Sequence, residues 1–239
     1  MQISLPKAAI ERNMKKIRVW DLPVRLFHWS LVVLVVLAVI TQKIGGSAME
    51  WHFRCGYAVL TLVMFRIIWG FAGPQQARFS SFIFGPAKIV GYLRQMKIGS
   101  NSKPHQRFAG HNPIGGLAVV GFLVILLMQT ISGLFSNDAN DRQGPLAKFI
   151  SNQTSDLFTD FHKDVSTVLL YIFIGLHVAA IAYYYFRKND DLVSPMITGD
   201  KVGEFGVAPA NDSAAMRLLG LLIILACGLG VYLVVSLTP

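Results

Sequence analysis

The chain has 239 residues, of which 53% are apolar, a mean hydropathy of +0.50 and a formal net charge of +9. That composition excludes an ordinary soluble domain. The basic residues flank apolar runs and build no soluble basic face, so nucleic acid is excluded as a partner.

Five runs approach or exceed the roughly 20 residues needed to cross a bilayer: 26–42, 52–72, 114–135, 162–186 and 215–237. Ahead of the first lies a polar, basic arm, residues 1–19. The segment RVWDLPVRLFHW (Arg18 to Trp29) then leads into helix one, with Pro23 suited to a first turn and its aromatics to a membrane interface. Basic residues before this run and small ones after it resemble a signal peptide. Its own His28 and Trp29, and the four runs that follow, mark it instead as a retained helix. The second run opens at His52, beside Trp51, and carries Arg54 and Arg66. Residues 73–112 hold six basic residues and no acidic ones. Within them, Pro86 to Ile98 sets Ile89, Val90, Leu93 and Met96 on one face, as expected of an amphipathic helix at the membrane surface. His105 reads as a solvated loop residue.

Asn112 and Pro113 suit the N-cap and first position of the third helix, and Gly115-Gly116 allows close helix contact. Residues 136–161 read as a loop, with Asp138, Asp141, Asp156 and Asp160 against Arg142 and Lys148. The fourth run carries His162 and His177, and ends in a Tyr183–Tyr185 aromatic belt. After a polar stretch comes the fifth run, which has no charged residue beyond Arg217 and reads as a peripheral helix. Cys55 and Cys227 stand alone in apolar runs, as small buried residues.

Charge sets the orientation. With five spans, residues 1–25, 73–112 and 187–217 share one side and hold six, six and four Lys/Arg. The opposite segments, 43–51 and 136–161, hold one and two. Sixteen against three places the amino terminus in the cytoplasm and the carboxyl terminus outside.

Four of the six histidines lie in or at the edge of these spans, where an imidazole is costly and by default functional. His162 and His177 are 15 residues apart, about 22 Å along a helix and about 60° in rotation, so both can face one side of a bundle at different depths. His28 matches His177 in depth, and His52 matches His162. A lone histidine at a helix end is more commonly interfacial or hydrogen-bonded, but four at matching depths ask for a shared cause. Haem b takes two imidazoles on opposite faces of a flat macrocycle between packed helices. Zinc or copper wants three or four clustered donors, which neither depth offers. No CxxCH occurs, so covalent attachment is not expected. Arg66 and Arg54 are candidates for the propionates of an inner and an outer haem, against snorkelling or helix packing. His111, with Asn112 beside it, is a candidate quinone contact, against a capping or surface role.

RVWDLPVRLFHW, GYAVLTLVMFRIIWGF (Gly56 to Phe71), GHNPIGG (Gly110 to Gly116) and LVSPMITGDK (Leu192 to Lys201) resemble the bacterial cytochrome b561 and nickel–iron-hydrogenase b-type cytochrome family over residues 15–201. The resemblance implies a four-helix transmembrane core with two non-covalent b haems. It maps the inner pair of ligands onto His28 and His177 and the outer onto His52 and His162. It further implies a bacterial inner-membrane protein that exchanges electrons between the quinone pool and a periplasmic redox protein, a hydrogenase or a c-type cytochrome. The fold expected is therefore an all-α integral membrane protein with a basic arm (1–19), a di-haem domain (20–201), and a linker with a fifth helix (202–239). Membrane lipid is its surrounding, and a homodimer is compatible with it. An outer-face small-molecule oxidoreductase, such as a superoxide:quinone oxidoreductase, stands as the alternative within redox chemistry. A transporter or metal-handling protein stands as the alternative of another class.

Overall fold

The computed structural model describes residues 16–97, 108–138, 142–203 and 205–236. The protein is an all-α integral membrane protein in which five helices are long and apolar enough to cross a membrane. In chain order the helices are α1 (Leu22–Ile44), α2 (Met49–Ala72), the short α3 (Phe79–Phe82), α4 (Pro86–Lys97), α5 (Pro113–Phe135), α6 (Asn152–Asp160), α7 (Thr167–Lys188), the short α8 (Val193–Thr198) and α9 (Ala214–Ser236). A π-helical stretch, Phe161–Ser166, joins α6 to α7 without a break, so the fourth span runs from Asn152 to Lys188.

The membrane helices begin where their caps dictate. Asp21 accepts from the Val24 amide at 2.9 Å and starts α1 four residues before the apolar run, with Pro23 in the first turn. Asn112 accepts from the Gly115 amide at 2.8 Å and starts α5 at Pro113. Ser151 accepts from the Thr154 amide and starts α6, so most of residues 151–161, expected as loop, is helix. Polar residues fill its first turns, which is why apolarity alone does not reveal it. Ahead of α6, the pair β2 (Asn137–Asp138) and β3 (Arg142–Gln143) forms a minimal hairpin. Asp141 and His105 lie outside the described residues.

The end of the bundle where α1 starts is called proximal below, and the opposite end distal. At the proximal end β1 (Lys16–Arg18) pairs antiparallel with β4 (Asp200–Val202), tying the segment before α1 to the segment after α7. The last carbonyls of α8, which have no partner within their helix, are taken by cationic and indole donors. Trp29 donates to Met196 O, Arg25 to Ile197 O and Arg18 to Thr198 O. Gly199 follows at φ +90°, where a Cβ would stand 2.6 Å from Arg18 Nη1 and 2.8 Å from Trp20 O, so only glycine closes this junction. Buried Lys201 pairs with Asp190 at 2.9 Å and donates to Phe108 O. The LVSPMITGDK segment is thus a clasp that fixes α7 against α1.

Helix α9 packs on the outside of α2 and against the start of α1, with Gly220 against Pro23 and Trp69, and Cys227 and Val231 buried. The apolar residues on its other face, Leu221, Leu225 and Tyr232 among them, are exposed, as suits contact with lipid. Cys55 is also buried, and neither cysteine is bonded.

Candidate functional site

Helices α1, α2, α5 and α7 bring the four intramembrane histidines together in two pairs. Toward the proximal end His28 of α1 faces His177 of α7, with ring centres 6.4 Å apart. Toward the distal end His52 of α2 faces His162 of the π-helical stretch, with ring centres 6.2 Å apart. The depth pairing expected from spacing is the pairing observed. The π turn absorbs one further residue between His162 and His177, so their offset is that of about 14 α-helical steps, about 40° in the opposite sense. His162 is half-buried, whereas His177 is exposed, although its ring meets those of His28 on α1 and Phe122 on α5.

The separation carries chemical meaning. A metal–imidazole bond is about 2 Å long and the ring centre lies about 1 Å behind the ligating nitrogen, so two imidazoles sharing one metal have centres about 6 Å apart. Both pairs stand at that distance, too far for a ring-to-ring hydrogen bond. Among the described residues no group of three or more His, Cys, Asp or Glu gathers at one point. Each site offers two imidazoles at the separation of two axial ligands of a macrocycle, and not the donor set of a closed zinc site. Room is available beside His52: one turn on, a Cβ built at Gly56 would meet nothing within 4 Å.

The two pairs differ in what lies behind the rings. At the distal pair, His52 Nδ1 bonds to Ala38 O of α1 at 2.8 Å, and His162 Nδ1 to Gln129 O of α5 at 2.8 Å. Only a protonated Nδ1 donates to a carbonyl, so both rings keep the lone pair on Nε2. The Gln129 amide agrees, donating to His162 Nε2 at 3.1 Å and to Thr167 Oγ1 at 3.1 Å, while Ser166 donates to Gln129 Oε1. Thr167 Oγ1 also bonds to His162 O at 2.6 Å, and Ser132 Oγ lies 3.2 Å from His162 Nδ1. A Cβ at Gly133 would stand 3.0 Å from the His162 ring. At the proximal pair, His28 Nδ1 is buried without a hydrogen-bond partner.

A second polar cluster sits at the proximal mouth. The loop carrying α3 folds into the bundle end through two glycines: a Cβ at Gly70 would meet the Phe79 ring at 2.2 Å, and one at Gly116 the Phe82 carbonyl at 2.2 Å. Behind this plug Arg66 is 3% exposed, lies against the rings of Phe79 and Phe82, and leaves Nη1 without a hydrogen-bond partner. His111 packs between Trp20 and Phe82, and its Nδ1 is also buried without a partner. Burial, helped by the Arg66 charge, pushes the His111 imidazole down to about 3, so it is neutral at physiological pH. Burial raises the Asp21 carboxyl, which accepts from the Val24 amide and Trp69 Nε1.

The remaining candidates are placed differently. Asn112 spends its side chain on the Gly115 amide and the Tyr184 hydroxyl, which in turn bonds to Tyr92, so Tyr184 is a specific strut within the aromatic belt. Tyr92, not Leu93, is the α4 residue buried against the bundle, and Val90 and Leu93 are exposed. Arg54 lies about 200° around α2 from His52, pairs with Glu50, covers Trp51 and is exposed. It is not brought to the distal pair. Gln129, Ser132, Gly133, Ser166 and Thr167 escape a reading of the sequence, although a glutamine in an otherwise apolar span signals a buried polar contact.

A profile described as prokaryotic cytochrome b561 matches residues 19–199, which takes in every helix that bears a histidine of the two pairs. The chain belongs to that family. Membership makes it a b-type cytochrome, a multi-pass membrane protein of electron transfer whose cofactor is haem b. Relatives include a probable Ni/Fe-hydrogenase B-type cytochrome subunit of Azotobacter chroococcum mcd 1, 25% identical over 218 residues, covering 79% of this chain and 89% of the relative. One of the same description from Cupriavidus necator is 26% identical, covering 79% and 88%. A probable Ni/Fe-hydrogenase 1 B-type cytochrome subunit of Escherichia coli K12 is 22% identical, covering 79% and 92%. No solved structure gives a significant match. The family match ends before α9 begins.

Proposed function

We propose that the protein binds two b haems, one between His28 and His177 and one between His52 and His162, and carries electrons across the membrane between quinone and a periplasmic redox protein. The observation that carries this reading is the spacing of the two pairs, 6.4 and 6.2 Å between ring centres, at two depths of one bundle. Bound there, the haems supply reversible one-electron chemistry. The chain's part is to supply imidazole Nε2 lone pairs, that of His162 being held by the Gln129 amide until a haem takes its place, to exclude water with apolar helices and to fix the distance between the two sites. The excess of basic residues puts the proximal end in the cytoplasm and the distal end, with the end of α9, in the periplasm.

The partner proposed to dock at the distal face is a hydrogenase subunit, which the relatives' names support, or otherwise a c-type cytochrome. Asp156 and Asp160 on α6 would favour a basic surface there, with an effect that fades with salt. The quinone site is proposed at the proximal mouth, where Arg66 and His111 offer unpartnered buried nitrogens and His111 stays neutral. Arg66 is the residue proposed to meet a proximal propionate or the quinone oxygens. Asn112 holds this mouth together through Tyr184, and Arg54 is left to Glu50. The test is reduction of the purified cytochrome by a quinol analogue in Arg66→Ala and His111→Ala, after haem content is shown to be intact. Slowed reduction in either supports the proximal site. Wild-type rates in both, with loss of quinol reduction on substituting residues around His52 and His162, overturn it.

A further inference from the structure

We infer that hydrogen bonding behind the distal imidazoles makes the His52/His162 site the lower-potential one, and that Gln129 is the positioning residue that sustains it. The inference rests on the proposed ligation of haem by the two histidine pairs.

Both distal rings give their Nδ1 proton to a backbone carbonyl at 2.8 Å, Ala38 O for His52 and Gln129 O for His162. An imidazole that donates its second N–H to a carbonyl is the more basic ligand, and a more basic ligand favours ferric over ferrous iron. The proximal rings lack this support. His28 Nδ1 is buried without a partner, and His177 is exposed and meets the rings of His28 and Phe122, with no hydrogen bond among the described residues. Charge acts in the same sense. Arg66 lies six residues from the proximal end of α2, as His28 lies six from that end of α1, about 9 Å in along each helix. A buried guanidinium at that depth favours the reduced proximal site, whereas Arg54 near the distal pair is turned outward and neutralised by Glu50.

Gln129 secures the distal arrangement. Its backbone accepts from His162, and its side chain grips the π turn through Ser166 and Thr167, whose hydroxyls also reach back to His162 O. Its amide also donates to His162 Nε2 at 3.1 Å, a bond that a ligated haem would replace. The π register that presents His162 to the α5 carbonyl is thereby fixed from α5 itself. Haems held by the two pairs would supply one-electron chemistry, with the proximal site the stronger electron acceptor.

Spectroelectrochemical titration of His28→Ala, which keeps the distal site, against His52→Ala, which keeps the proximal one, tests the ordering. The distal midpoint is expected lower by at least a tenfold ferric-to-ferrous ratio, about 59 mV for one electron. Gln129→Leu should raise the distal midpoint and leave the proximal one in place. Thr41→Val should lower the distal midpoint, because Thr41 Oγ1 shares Ala38 O at 3.1 Å. Equal or inverted midpoints overturn the ordering. A Gln129→Leu shift common to both sites, or absent from both, overturns the role of Gln129. If Gln129→Leu loses its distal haem, the sign of the Thr41→Val shift decides. Fewer than two haems in the wild type overturns the ligation reading itself, a failure distinct from a wrong order of potentials.

Discussion

Adding one methyl group at Gly133 should cost the protein its distal haem without unfolding it. Gly133 is the residue four on from Gln129 in α5, so its own amide shares the carbonyl that His162 uses. A Cβ there would lie 3.0 Å from His162 Cε1 and 3.3 Å from Nδ1, whereas carbon contacts settle near about 3.5–4.0 Å. The ring must therefore retreat from α5 by about 0.5 Å or more, which stretches the 2.8 Å bond to Gln129 O past the usual hydrogen-bond range. Metal–ligand distances tolerate about 0.2 Å, and losing an outer-shell partner costs about 10–100-fold in affinity. Ala gains about 1 kcal/mol over Gly in a helix interior, so α5 itself is not weakened. Gly133→Ala should fold, keep its proximal haem and lose or loosen the distal one on dilution. Gly230→Ala, where a Cβ meets nothing within 4 Å, is the control and should change neither. Haem-to-chain ratio with optical titration reads the outcome. Full content with an unchanged distal midpoint would refute the claim that this carbonyl bond positions His162.

The clasp and the proximal mouth give further tests. Lys201→Met leaves Asp190 unpaired in a half-buried junction and should cost about 3–5 kcal/mol in detergent thermal unfolding, with Asp190→Asn added to it restoring most of the loss. Because folded His111 resists protonation until about pH 3 while the unfolded imidazole takes a proton near 6.5, stability should fall as pH drops through that window. The slope is at most about 1.4 kcal/mol per pH unit, and His111→Phe should flatten it in unfolding curves at pH 7, 6 and 5. A reporter fused after α9 should be active in the periplasm, and activity confined to the cytoplasm would refute the proposed orientation.

The helical arithmetic that pairs the histidines needs only their positions in apolar runs, and His28, His177, His52 and His162 were therefore legible. The partners behind the rings were not, for a physical reason. Ala38 and Gln129 act through backbone carbonyls, which every residue has, and Gly133 acts by what it lacks. The π turn that presents His162 is fixed by Ser166 and Thr167 gripping a residue on another helix, a tertiary effect that no local period announces. Helix ends were blurred for a simpler cause. Hydropathy sees the apolar run, while α1 begins at the Asp21 cap and α6 at the Ser151 cap, both in polar sequence. Of the two readings open for Arg54, propionate contact or packing at the helix surface, its exposure and its pairing with Glu50 favour the second.

If each histidine pair holds one haem, the number of haems per chain is two. A pyridine haemochrome assay on the purified protein should give two non-covalent b haems, and one in each of His177→Ala and His162→Ala, the distal and the proximal respectively. One haem in the wild type, or a covalently attached c-type spectrum, would contradict the account.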